Sequence, residues 1–197
     1  MLHRYLVEVV EEFDLCPWAR VARERGEVGF DVVWGTPTAA ECAAPAKALL
    51  EAGSQVVMII MPELVIDSID LHDLRNEVTT LIPSAGVAEF HPDAKLDLAT
   101  PARLVSYIRR SPDPLLQLVP LSLLASVRGG NPGADRLHQA QILSGTAAPP
   151  KRDAAERIAA ANHVTVSAAH ETITRTLADI AADRQRSYER VGINVSR

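Results

Sequence analysis

Cys16, His91 and Arg110 are the residues whose types and surroundings offer chemistry in this sequence. Cys16 precedes Pro17, and proline suits the first turn of a helix, where its missing N–H removes no bond. The spacing predicts a short helix opening at Pro17 and stopping at Gly26, with Cys16 as its cap. A thiol there lies near unpaired backbone N–H groups and the positive end of the helix dipole, with Arg20 one turn along. Those terms favour the thiolate. The competing reading is a small apolar residue at a helix junction. A Cys-Pro pair also serves as a haem ligand, but two residues carry little specificity. Cys42, among alanines, reads as core filler.

His91 follows a short apolar run that ends at Phe90. Ligands of open α/β sheets gather beyond the carboxyl ends of strands. A thiol with an imidazole base is the minimal kit for nucleophilic catalysis. Cys16 then acts as nucleophile or redox thiol, His91 as base, and Asp93 as the carboxylate that orients the ring. Arg110 supplies a bidentate fork for carboxylate or phosphate, with Tyr107 and Ser111 beside it as substrate-binding candidates. In helical geometry Arg109 and Arg110 point apart, so at most one of them is expected to face a site. The non-catalytic reading makes His91 a loop cap held by a backbone hydrogen bond, and Arg110 a salt-bridge partner of the acidic N-terminal half. No metal-ligand spacing occurs. Gly129–Gly133 lacks the Lys-Ser/Thr of a phosphate-binding loop. The sequence names no cofactor.

These residues need elements to hold them. Leu2, Tyr5, Leu6, Val9, Val10 and Phe13 share one helical stripe. Residues 28–34 alternate as a strand does. Thr38 with Glu41 spells a capping box, and Gly53 is the stop of that helix; Pro45 delays or kinks it. Residues 56–61 form an apolar run closed by Pro62, as expected of a central strand buried on both faces. Ile69, Leu74, Val78 and Leu81 mark a helix ended by Pro83 and Gly86, and residues 87–90 form a third strand. The alternation predicts an α/β fold: a small, mainly parallel sheet of three or more strands flanked by helices. After Pro101 the chain reads as mostly helical. Ala147–Pro150 looks like a linker between an α/β domain (3–146) and a helical extension (151–197). The extension carries the stripe Ile173, Leu177 and Ile180, led in by Val164 and Val166. That stripe is expected to dock around Leu115–Leu124 or on a second copy, so a homo-oligomer or protein partner is expected through these helices.

Composition bounds the class. Of 197 residues, 47% are apolar and 23% charged, the ordinary range for a globular domain. No apolar run approaches the roughly 20 residues of a membrane span. The sequence predicts a cytoplasmic protein without a signal peptide, and two cysteines give no disulfide framework. Residues 1–100 hold seven Lys/Arg against 17 Asp/Glu, and residues 101–197 hold 13 against eight. The basic half either neutralises the acidic half or surrounds a small anionic ligand. A net charge of −5 and 4% aromatics argue against a nucleic-acid surface.

Leu15-Cys16-Pro17-Trp18-Ala19, then Phe90-His91-Pro92-Asp93, then Tyr107, Arg110-Ser111-Pro112 and Pro114-Leu115-Leu116 resemble a bacterial family known as domain of unknown function 1415. The likeness runs in order over roughly residues 3–130. It implies a small cytoplasmic α/β protein whose motifs enclose Cys16, His91 and Arg110, and it brings no established activity. The chain departs from the family pattern at Asp113, where a tyrosine is usual. It departs again at Ala94-Lys95-Leu96, and at Gln117, Val119 and Pro120. Two functions follow from these readings: a cysteine-dependent enzyme acting on a small anionic substrate, or a non-catalytic binding or assembly protein in which the same residues are structural.

Overall fold

In the computed structural model the residues described are 1–128 and 154–193. The glycine loop at 129–133 and the 147–150 segment lie outside them. The strands are β1 (Val28–Val32), β2 (Val56–Ile60), β3 (Ala85–Phe90) and β4 (Leu115–Pro120). The helices are α1 (Leu2–Tyr5), which runs into a wider π-helical stretch at Leu6–Glu11, then α2 (Ala19–Glu24), α3 (Ala39–Glu51) and α4 (Ser68–Leu81). They continue with α5 (Val105–Ile108), α6 (Leu121–Arg128) and α7 (Ala154–Arg190).

The four strands form one sheet in the order β1-β2-β4-β3. β2 is internal, as its unbroken apolar run requires. The expected mainly parallel sheet is instead mixed. Only β1 and β2 pair in parallel, while β4 runs antiparallel to both β2 and β3. β2 and β3 therefore point the same way without touching, because β4 is inserted between them. Leu115 stands opposite both Ile60 and Phe90. The carboxyl ends of β2 and β3 and the amino end of β4 thus share one edge. The segment 115–120 reads as helical in sequence because a short leucine-rich run buried on both faces has no distinguishing period. Pro114 before it and Pro120 at its end are the strand-length punctuation.

Each sheet face has its own core. On one face Val57, Ile59, Leu116 and Leu118 pack against α3 and α4 through Cys42, Ala46, Leu71 and Val78. Thr38 caps α3, its hydroxyl accepting from the Glu41 N–H while Glu41 accepts from the Thr38 N–H at 2.7 Å. Pro45 is accommodated within that helix. Asp67 caps α4 by accepting from the Ile69 and Asp70 N–H groups. On the other face Met58 meets Tyr5, Val9, Leu104 and Tyr107 together with Val166, Ile173, Leu177 and Ile180 of α7. The stripe of α7 is therefore part of this core. The stripe seats on the N-terminal helix and α5, α7 also meets α6, which begins at Leu121, and Val164, 70% exposed, is off the stripe.

Seating α7 buries Ile173 to 1% exposure. Truncating such a side chain removes its transfer free energy and leaves a cavity, at a cost of about 2–5 kcal/mol. Urea denaturation of Ile173→Ala should show that loss, while Val164→Ala should stay within about 0.5 kcal/mol of the parent. Equal, small effects at the two positions would contradict the packing of α7.

Candidate functional site

The edge shared by β2, β3 and β4 is built by backbone bonds that tie three loops together. The His91 N–H donates to the Arg109 carbonyl at 3.1 Å, and the Met61 N–H donates to the Pro114 carbonyl at 2.9 Å. The turn 109–114 is thereby clamped between the ends of β2 and β3.

His91 is held at both ring nitrogens. Nε2 lies 2.8 Å from the Ile66 carbonyl, which can only accept, and Nδ1 lies 3.0 Å from the Asp93 N–H, which can only donate. These partners fix the neutral tautomer with the proton on Nε2. Neither nitrogen is available as a base in this arrangement. Asp93 orients the ring through its backbone, and its exposed carboxylate has no partner among the described residues.

Arg110 is half-buried and donates from Nε to the Pro92 carbonyl at 2.9 Å. Among the described residues no carboxylate pairs with it. No buried side-chain nitrogen or oxygen there lacks a partner, so its unpaired N–H groups are accessible to solvent. Arg110 lines a cavity of about 310 Å³ walled also by His91, Asp93, Ser111, Leu177 and Arg184. Ser111 is buried and its hydroxyl donates to the Asp113 carbonyl. Tyr107 lines neither this cavity nor its neighbour. Its buried hydroxyl bonds the Thr174 hydroxyl at 2.7 Å and donates to the His170 carbonyl at 3.3 Å, fastening α5 to α7.

A second cavity of about 830 Å³ lies on the other side of His91 and Asp93, walled also by Asp67, Glu89, Lys95 and Arg109. α5 ends at Ile108, so the two arginines sit in the turn beyond it and face different cavities. The expectation that at most one arginine faces a site is corrected, because it assumed a helix at a position where the chain turns; Lys95 was not singled out as a site residue by the sequence pattern. Arg184 escaped it too, although its position four residues after Ile180 places a charge on the apolar stripe. That placement signals a buried partner, which is Asp113. Arg184 Nε pairs with Asp113 Oδ1, its terminal nitrogen donates to the Pro62 carbonyl at 2.8 Å, and Tyr188 donates to Asp113 Oδ2 at 3.3 Å. Burial, and the carboxylate beside it, push the Tyr188 hydroxyl up to about 12.

Cys16 packs in the core that also takes in Phe90, Tyr107 and Ile108. α2 begins at Ala19 with Trp18 as its cap, so Cys16 is not the capping residue. The thiol is half-buried against the core beneath α7 and lines neither cavity that meets at His91. Burial pushes it up, outweighing the Trp18 and Ala19 N–H groups that pull it down. Arg20 turns instead toward the buried Glu11, 3.7 Å away. Cys42 is fully buried, and burial drives its thiol to about 11.

The sequence model of the family described as "Protein of unknown function (DUF1415)" matches residues 1–142. The chain belongs to this family. The match takes in β1 to β4, His91 and both arginines and stops before α7. No curated protein and no solved structure matches the chain. Among the described residues no three His, Cys, Asp or Glu side chains are grouped to hold a metal ion, and no helix is long and apolar enough to cross a membrane.

A thiol raised by burial carries less thiolate at neutral pH than a free cysteine does. Iodoacetamide at pH 7.5 should therefore modify native Cys16 more slowly than the urea-unfolded chain, with the rate climbing as pH rises through the alkaline range. Native labelling faster than unfolded labelling would mean an activated thiol.

Proposed function

We propose that this member of the family binds a small oxyanion, a carboxylate or phosphate, in the 310 Å³ cavity beside Arg110, without thiol catalysis. The observation that carries the reading is the half-buried Arg110 guanidinium, held by one carbonyl and paired with no carboxylate among the described residues. An arginine fork whose remaining donors face a cavity is suited to bidentate capture of such a group. His91 serves as a post between loops, since both of its nitrogens are engaged by backbone. Asp93 on the cavity wall sets a limit on anion affinity by like-charge repulsion. The cysteines lie in different cores, which keeps them from pairing and fits a reducing compartment such as the cytoplasm. Ser111 acts through the turn that presents Arg110, and Tyr107 through the seating of α7.

Titration with inorganic phosphate at fixed ionic strength tests this, followed at the Leu177 and Ala178 amides, which line this cavity. Saturable shifts are expected in the parent protein. A charge-assisted hydrogen bond contributes about 1.5–3 kcal/mol, so Arg110→Ala should weaken this response by about 10- to 100-fold. Arg110→Lys, which keeps the charge but loses the fork, should fall between. Asp93→Asn should tighten binding. Unchanged saturation in Arg110→Ala would refute the reading.

A further inference from the structure

The Arg109 side chain lines the larger cavity. It is half-buried, with its guanidinium carbon 6.0 Å from the centre of the Phe90 ring, and no hydrogen-bond acceptor or ion-pair partner holds it among the described residues. Burial lowers its pKa, opposed by the field of Glu89 and assisted by that of Arg75. No buried side-chain nitrogen there is without a partner, so its unpaired donors are accessible to solvent, and Arg109 lines the 830 Å³ cavity.

None of the acids around that cavity hydrogen-bonds or ion-pairs with Arg109, although the field of Glu89 reaches it. Asp67 is spent on the Ile69 and Asp70 N–H groups at 2.8 and 2.9 Å. Glu89 is taken by Arg75 at 3.1 Å and His72 at 3.2 Å. Asp97 is taken by Arg103 at 2.8 Å and by the Ala99 N–H at 2.9 Å. On this wall Arg109, the exposed Lys95 and the Asp93 carboxylate have no side-chain partner among the described residues, while Asp67 keeps its charge as the cap of α4. An unpaired, half-buried guanidinium gains charge-assisted hydrogen bonds from an oxyanion that enters the cavity.

We infer that Arg109, with Lys95 beside it, forms a second oxyanion subsite in the larger cavity, separate from the one at Arg110 and taking the same chemical class, a carboxylate or phosphate group. Two consecutive arginines in one turn thus serve two cavities divided by His91 and Asp93. Arg109 lies within the family match, so the subsite belongs to the α/β part of the chain.

The same phosphate titration separates the two sites when it is read at the Val105 and Ser106 amides, which line only the larger cavity. Saturable shifts are expected at both sets of amides in the parent protein. Arg109→Gln should weaken the response at Val105 and Ser106 by about tenfold or more and leave that at Leu177 and Ala178 unchanged. Arg110→Ala should do the reverse. Arg109→Lys keeps a charge over Phe90 and guards against loss of fold in the glutamine variant. It should melt with the parent and bind phosphate at this site more weakly. Parental saturation at Val105 and Ser106 in the folded Arg109 variants, or no saturable response there in the parent protein, would overturn the subsite. Failure of the Arg110 site alone would leave it standing.

Discussion

β4 pairs with two strands at once, and the geometry of the cleft depends on that double ladder. Leu115 fixes the register by standing opposite Ile60 on one side and Phe90 on the other. The bonds from Met61 to Pro114 and from His91 to Arg109 carry the ladder one step past each strand end. A turn clamped on both flanks has little freedom, so Arg109 and Arg110 leave it in fixed and different directions. Backbone hydrogen bonds at a buried edge are costly to leave unmade, which makes this clamp a property of the fold rather than of any one side chain.

α7 adds a second constraint. Its apolar stripe closes the core over Met58, Tyr5 and Tyr107, and its charged position Arg184 meets Asp113 beside the same turn. A buried ion pair is weak evidence of stability, but removing either partner strands a charge. Its use here is registry: it sets where along the sheet α7 sits, and so which of its residues wall the Arg110 cavity. The helix that answers Asp113 lies outside the family match.

Much of the frame was legible in the sequence. The apolar run of β2 closed by Pro62 marks an internal strand, and Thr38 with Glu41 marks the start of α3, because both signals are local. Ile69 and Leu81 fit the helical period of α4 yet are 71% and 41% exposed, while Leu71 and Val78 are buried. Period alone gives a helix without fixing its inner face. β4 was hidden because its partners are distant in sequence and its leucines suit a helix equally well. Cys16 misled for a related reason: α2 starts two residues beyond Pro17, and burial then outweighs the nearby N–H groups. His91 was placed correctly at a strand end, but its two backbone partners belong to loops that no local pattern connects.

The account turns on His91 being a fixed neutral post between two arginine-lined cavities rather than a base. Long-range ¹⁵N–¹H correlation spectra of the imidazole at neutral pH test this most directly. The account predicts a proton on Nε2 and an unprotonated, hydrogen-bond-accepting Nδ1 in the free protein, with the same pattern when phosphate saturates the cleft. A ring protonated on Nδ1, on both nitrogens, or exchanging between tautomers would contradict it.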